Sequence, residues 1–269
     1  MAMLAPLMKA ITPMMLSMTT GSMIGHLGAT SFGQYDLPIP RRRSDELLIV
    51  PINVEEFGTG WSLPGDDLRL WICIHEVAWH AVLGVPFVGK RIEALLTEFT
   101  GGFAPDPTAL TNRMESMDIS AFASGDPMSA IQDLFSDPEI LLGATRTPQQ
   151  MDTHTQLTTM LAVLVGYVDH IIDLVGAKLL SSHQMITEAL ERRRVTANSS
   201  DHFVEKLLGI ELDQPCYDAG EAFVAGVVAR SGPSGLDRLW EDEANLPTPA
   251  ELAAPGLWLA RIDLPTTPD

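Results

Sequence analysis

The chain has 269 residues, of which 46% are hydrophobic and 19% are charged, and its formal net charge is -18 at pH 7. This apolar fraction excludes an intrinsically disordered chain, and the length is sufficient for one large domain with a buried core. The negative charge argues against a nucleic-acid partner and against docking on an anionic membrane surface, because both need clustered Lys and Arg side chains. The only cysteines, Cys73 and Cys216, cannot form a disulfide framework, so we predict a cytoplasmic protein with buried, reduced thiols.

The first part of the sequence predicts helices interrupted by loops. Residues 3–27 are apolar and rich in methionine, but polar interruptions keep every apolar run below the roughly 18 residues that a membrane span requires. Residues 11–29 should form a helix that is broken near Gly21. The run 46–53, ELLIVPIN, predicts one short β segment with Pro51 at its edge. Two helices should follow, at Asp67–Leu83 and Lys90–Phe99, and the first is apolar on most of its surface, which is typical of a central helix.

The rest of the sequence predicts further helices. Residues 106–148 are acidic, irregular and rich in proline, so we expect them to form a lid or cover. A long apolar helix should span Gln149–Leu180, with shorter helices within residues 184–240, while the proline-rich end from Leu246 is expected to be a loop. Strand signals are scarce. The predicted fold class is therefore mainly α, a single multi-helical domain over residues 1–269 with one minor β segment.

Polar residues in the middle of the first long helix mark a candidate site. His75 and Glu76 lie between Ile74 and Val77, where an unpaired carboxylate would be costly to bury. Together with His80 they almost form the motif H-E-x-x-H. In that motif two histidines on one helix face bind zinc, and the glutamate takes a proton from the zinc-bound water.

The spacing departs from that motif by one residue. His75 and His80 are five positions apart, about 140° around a regular helix, and Trp79 occupies the position of the second histidine. A π-bulge in the helix would bring His80 to the same face as His75. Without a bulge, His80 points elsewhere and the site is altered or lost.

A second group of polar residues, Asp169, His170 and Asp173, interrupts the other long helix. An acidic side chain from this helix is the type of ligand that a zinc ion held by His75 would need. The alternative is a buried histidine–aspartate pair that joins two helices without any metal. The residues alone leave both interpretations open.

The sequence resembles a known family in three stretches, namely IHEVAWHAVLGVPFV, VLVGYVDHIIDLVG and LWEDEANLPTPAELAAPGLWLARID. They are similar to the actinobacterial zincin-like metallopeptidases, helical proteins that include a branch associated with biosynthesis of a deazaflavin coenzyme. The similarity extends over roughly residues 20–262. Members of the family usually carry a further helical segment before this region, so the N-terminal part of the family is expected to be shortened here.

The resemblance implies a zinc-dependent hydrolase. It assigns one general base and four candidate ligands of Zn²⁺: Glu76 as the base, and His75, His80, Asp169 and His170 as the ligands. The family pattern has histidine where this sequence has Trp79, and an acidic residue where it has Val165. Two functions therefore remain open. One is a metallopeptidase-like hydrolase with an altered motif, acting on a peptide or small molecule, and the other is a non-catalytic relative that serves as a helical binding or scaffold protein.

Overall fold

The computed structural model describes residues 24–42, 44–102, 104–105, 144–196 and 202–264, together with positions 17 and 21. The helices in these ranges are α1 (Pro51–Gly60), α2 (Gly65–Leu83), α3 (Pro86–Gly101), α4 (Pro148–Leu179), α5 (His183–Thr196), α6 (His202–Leu208), α7 (Gln214–Ser231), 3₁₀ helices at Pro233–Trp240 and Glu243–Asn245, α8 (Pro249–Leu252) and α9 (Pro255–Ile262). Residues 24–30 are also helical. The prediction of a mainly α fold is confirmed. The expected lid at 106–148 falls almost wholly outside the described residues, which resume at 144.

Helix α4 is the central helix of this fold. It begins at a capping box, in which Thr147 Oγ1 accepts a hydrogen bond from Gln150 N at 3.1 Å and Gln150 Oε1 accepts one from Thr147 N at 3.3 Å. Helices α2, α3 and α7 pack around it. By length and composition α4 could cross a membrane, but 56% of its most apolar stretch is buried inside the fold. That burial is the property expected of a core helix.

Helices α4 and α7 cross with their backbones in direct contact. A Cβ atom on Gly166 would lie 2.4 Å from the carbonyl carbon and oxygen of Gly220, and a Cβ atom on Gly220 would lie 2.1 Å from the carbonyl oxygen of Ala162. Such an approach is open only to glycine, because any larger residue would place a side chain between the two backbones. The crossing fixes α7, and the residues at its start, relative to α4.

The start of α2 is tied to the turn between α4 and α5. Asp67 Oδ2 accepts hydrogen bonds from Ser182 N at 3.0 Å, Ser182 Oγ at 2.6 Å and Ser181 Oγ at 2.9 Å. The hydrogen bonds from Ser182 and Ser181 lower the pKa of Asp67 below its usual value. This tether holds the start of α2 next to the start of α5.

Two proline-containing regions differ from the sequence-based expectation. Ile49 makes only an isolated bridge with Gly33, and the expected β segment at 46–53 is replaced by α1, which begins at Pro51. The expected C-terminal loop contains α8 and α9, which begin at Pro249 and Pro255. The reason is the same in each case, since proline at the first helical position needs no hydrogen-bond partner and has a helical φ already.

The two cysteines also differ from each other. Cys216 is buried, as predicted, but Cys73 is exposed on α2, so the prediction of a buried thiol is wrong there. Both are free thiols. Cys73 therefore lies on an exposed face of α2, whereas the neighbouring Ile72 is buried, with 1% exposure.

Candidate functional site

The loop of residues 31–38 covers the middle of α2. On one side its backbone joins the segment before α1, where Val50 N donates a hydrogen bond to Phe32 O at 2.8 Å. On the other side Arg193 of α5 donates from Nη2 to Thr30 O at 2.7 Å, and its guanidinium lies 3.8 Å from the centroid of the Phe32 ring. The loop is therefore held in place by two different parts of the fold.

Glu76 lies beneath this loop and is 0% exposed. Its Oε2 atom accepts a hydrogen bond from Tyr35 N at 3.2 Å, and its Oε1 atom lies 3.2 Å from His75 Nδ1. Gly33 lies directly against the carboxylate, since a Cβ atom there would be 2.4 Å from Glu76 Cδ. The predicted general base thus has both oxygens engaged by protein groups and is closed off from solvent.

His75 lies between two indole rings. Its ring stacks on Trp71 with 5.3 Å between centroids and an interplanar angle of 17°, and Trp79 meets it edge-on at 6.4 Å. Trp79 is buried, with 4% exposure. The position of the second histidine in H-E-x-x-H is therefore filled by a packed side chain that has no metal-binding atom.

His80 makes a different contact. Its Nδ1 atom lies 2.9 Å from the hydroxyl oxygen of Tyr35, and the rings of these two residues are 6.0 Å apart. Helix α2 is α-helical throughout Gly65–Leu83, so no π-bulge rotates His80 toward His75. The helix thus presents these two histidines to different neighbours.

A cleft of about 380 Å³ opens beside His75, which we call the His75 cleft. Its titratable and charged wall residues are His26, Tyr35, Asp36, His75, Asp169, Arg193, Arg194, Glu205 and Tyr217. Arg194 Nη1 donates to Asp169 Oδ2 at 3.5 Å, and the same guanidinium lies 4.4 Å from the centroid of the Tyr217 ring. Asp169 therefore reaches the cleft as half of an ion pair.

Burial shifts two pKa values in this wall. It raises the pKa of Asp36 above its usual value, although the charge of Arg193 opposes the shift. It also raises the pKa of Tyr217 to about 12, against the influence of Arg194. At neutral pH the Tyr217 hydroxyl is therefore protonated.

Comparison with known proteins assigns the chain to a family. The family model described as Zincin-like metallopeptidase matches residues 1–259. The chain belongs to the zincin-like metallopeptidase family. A crystal structure from Chloroflexus aurantiacus, of a protein with a novel fold that is described only provisionally as a hydrolase, is similar to it. The TM-score is 0.58 and the identity 25%, over 90% of this chain and 67% of the other. No curated protein matches the chain.

Members of the zincin-like family usually bind zinc. In the described part of this chain, the predicted histidine and aspartate ligands do not converge on one point and so do not fit the ion. Among the predicted ligands, His75 and Asp169 share the His75 cleft, whereas His80 contacts Tyr35 and His170 lines a neighbouring cavity. Within the described ranges, no group of three or more His, Cys, Asp or Glu side chains is placed to hold a metal ion. Zinc sites in proteins use three or four protein ligands.

Four residues that shape the cleft of this zincin-like chain carry no functional signal in the sequence, namely Tyr35, Asp36, Arg193 and Arg194. Tyr35 and Asp36 lie in a turn, and the two arginines lie near the end of an amphipathic helix. Neither position carries a recognisable catalytic or metal-binding pattern. Only the tertiary contacts bring the two pairs together.

Proposed function

We propose that this member of the zincin-like family has lost zinc-dependent hydrolysis and uses its helical cleft to bind a ligand. The observation that carries the proposal is the packing of Trp79, which is buried against His75 at the position of the second metal ligand. The environment of Glu76 supports it, because a general base must reach the water that it activates. Here the Glu76 carboxylate instead accepts a hydrogen bond from the backbone of Tyr35.

The His75 cleft has the properties of a binding site. Its volume of about 380 Å³ lies within the range of roughly 300–1,000 Å³ that is common for small-molecule sites. Aromatic rings and fixed ion pairs line it, so a ligand would meet a largely preorganised wall. The proposed ligand is a peptide or a small molecule, and the proposed location remains the cytoplasm.

The competing function is the zinc-dependent, peptidase-type hydrolysis that family membership suggests. His75 and Glu76 keep the family's places for the first ligand and the general base, which is the feature in favour of this function. It would require further ligands to converge on His75. Zinc binding therefore separates the two functions.

The test is a measurement of zinc content and zinc affinity. Protein purified without added metal should contain substoichiometric zinc, and titration should show no saturable zinc site. Stoichiometric zinc that disappears in His75→Ala would contradict the proposal. His154→Ala is the matched control, since the His154 ring packs against Phe99, outside the His75 cleft and outside the neighbouring cavity that His170 lines. Trp79→His restores the family spacing, and zinc binding by this variant alone would identify Trp79 as the cause of the loss.

A further inference from the structure

A second cavity of about 740 Å³ adjoins the His75 cleft, between α4, α5 and α7. We call it the Trp71 cavity. The two cavities share the wall residues Trp71, Asp169, Leu190, Arg194 and Tyr217. The residues proper to the Trp71 cavity, including His170 and Thr187, take no part in the site described above.

Three residues of the Trp71 cavity wall carry buried polar atoms without a hydrogen-bond partner in the described part of the chain. They are Trp71 Nε1, His170 Nε2 and Thr187 Oγ1. Trp71 is 6% exposed and its indole nitrogen is buried, so a ligand reaches this N–H only when the side chains that cover it move aside. Buried polar groups are nearly always paired, and three unpaired groups in one wall indicate that a ligand supplies the missing partners. Because an indole N–H only donates, the ligand must carry an acceptor such as a carbonyl oxygen.

The wall also carries more acidic than basic side chains, although one of the acids, Glu191, acts electrostatically on Arg194. Glu191, Asp218 and Glu221 line the cavity, and none forms a salt bridge with a Lys or Arg that the structure describes. Asp218 accepts only an amide hydrogen bond, from Gln214 Nε2 at 2.7 Å. The formal charge of the whole chain, -18, adds to this local field and attracts cations.

The two arginines in the same wall do not cancel these carboxylates. Arg194 is paired with Asp169 at 3.5 Å, and Arg192 is paired with Glu188 at 2.5 Å. Each positive charge thus already has a carboxylate of its own. The field inside the Trp71 cavity is therefore negative.

Aromatic rings complete the cavity. Trp61, Trp71 and Tyr217 line it, and Trp61 is 38% exposed. Indole and phenol faces attract organic cations and pack well against aliphatic chains. Acidic and aromatic groups in one wall favour a cation on an apolar stem over a strongly hydrated metal ion.

We propose that the Trp71 cavity is a binding site for an organic cation, specifically an alkylguanidinium or alkylammonium group whose aliphatic stem also carries a carbonyl acceptor. The cation is stabilised by Glu191, Asp218 and Glu221, and the carbonyl accepts the hydrogen bond of Trp71 Nε1. This chemistry occurs in free basic amino acids and in basic residues of peptides. The inference goes beyond the proposed function, because it places a ligand in the Trp71 cavity, which adjoins the His75 cleft and shares part of its wall.

The test is calorimetric titration of the full chain with N-acetyl-L-arginine methylamide, in buffer that contains a metal chelator. The neutral analogue N-acetyl-L-citrulline methylamide should bind at least about tenfold more weakly, because it lacks the charge. Free L-arginine is the second arm. Tighter binding of L-arginine would indicate a free amino acid as the ligand, and tighter binding of the capped derivative would indicate a peptide. Equal binding of the arginine and citrulline derivatives would overturn the inference, as would no binding of either cation both in this buffer and in chelator-free buffer with added zinc.

Variants of the wall of the Trp71 cavity test where the cation binds. The double variant Glu191→Gln and Glu221→Gln changes two exposed side chains and should weaken binding of the arginine derivative about tenfold. Glu56→Gln with Glu93→Gln is the matched control, since it makes the same charge change at exposed positions outside both cavities. An equal effect of the two pairs would overturn the proposed location.

Trp71→Phe tests the carbonyl contact. It should weaken binding of the arginine derivative but not of 1-butylguanidine, which has the single cation and the stem without a carbonyl. Equal losses for the two ligands would refute the role of the indole N–H. Binding that appears only after zinc is added would contradict the proposed loss of metal chemistry and leave the cation site standing, so the two failures can be told apart.

Discussion

The contact between Gly33 and Glu76 predicts that Gly33→Ala is strongly destabilising. The new Cβ would lie 2.4 Å from Glu76 Cδ and 2.6 and 2.7 Å from its two oxygens. Favourable contacts between carbon atoms lie near 3.5–4.0 Å, so the carboxylate or the loop must move by about 1 Å. The φ angle of Gly33 is not positive, so this clash, and not backbone strain, is the cause.

The magnitude follows from two contributions. Overpacking of a filled site costs about 1–3 kcal/mol. Displacing the carboxylate also weakens its hydrogen bond with Tyr35 N, which is 3.2 Å long, and a hydrogen bond to a charged group contributes about 1.5–3 kcal/mol. Because the loop can shift in part, we expect the free energy of unfolding to fall by about 3 kcal/mol.

Urea denaturation followed by circular dichroism measures this change. Gly25→Ala is the matched control, since a Cβ there meets nothing within 4 Å. The control should be unchanged or more stable by up to about 1 kcal/mol, because Gly25 lies in a helical segment. Adding Glu76→Ala to Gly33→Ala removes the clash. The double variant should therefore lose about 2 kcal/mol less free energy of unfolding than the sum of the losses in the two single variants. If the free energy of unfolding of Gly33→Ala falls by less than about 0.5 kcal/mol, the predicted clash with Glu76 is wrong.

Three further predictions concern other parts of the fold. Gly166→Ala should lower the free energy of unfolding by at least about 3 kcal/mol, because its Cβ meets the Gly220 backbone at 2.4 Å; an unchanged melting temperature would contradict the tight crossing. Asp36→Asn should stabilise the protein at pH 7, because burial raises the pKa of Asp36 and the wild type must bury a charge there. The stability difference between Asp36→Asn and the wild type should grow as the pH rises above 3.8, the usual pKa of an aspartate. Urea denaturation at several pH values measures this difference, and a difference that shrinks with rising pH would contradict the interpretation. A thiol reagent at pH 8 should label Cys73 in the native protein and Cys216 only after unfolding, because Cys216 is buried and its pKa is raised to about 12; rapid labelling of both would disprove this.

The helices of the core could be predicted from the sequence because each carries a long apolar pattern. The predicted helix Asp67–Leu83 is observed as Gly65–Leu83, and the predicted helix Gln149–Leu180 as Pro148–Leu179. The errors arose where proline was interpreted only as a breaker. At Pro51 it begins a helix instead, and a local pattern does not distinguish these two roles.

The candidate site could be predicted only in part. The polar interruption at His75 and Glu76 lies in the helix segment from which His75 lines the cleft, and it was visible in the sequence because polar residues stand out from an apolar pattern. The direction of His80 could not be predicted, because it depends on Tyr35, which is 45 residues away in the chain. Spacing within one helix says which side chains share a face, but the partner on that face comes from the tertiary fold.

The wall shared by the His75 cleft and the Trp71 cavity has a thermodynamic consequence. Trp71, Asp169, Arg194 and Tyr217 are common to both compartments, so an occupant that shifts these side chains in one compartment reshapes the other. Two occupants would then alter each other's affinity by the same factor, in whichever order they arrive. If both volumes take a ligand, this single layer of side chains would couple the two binding events.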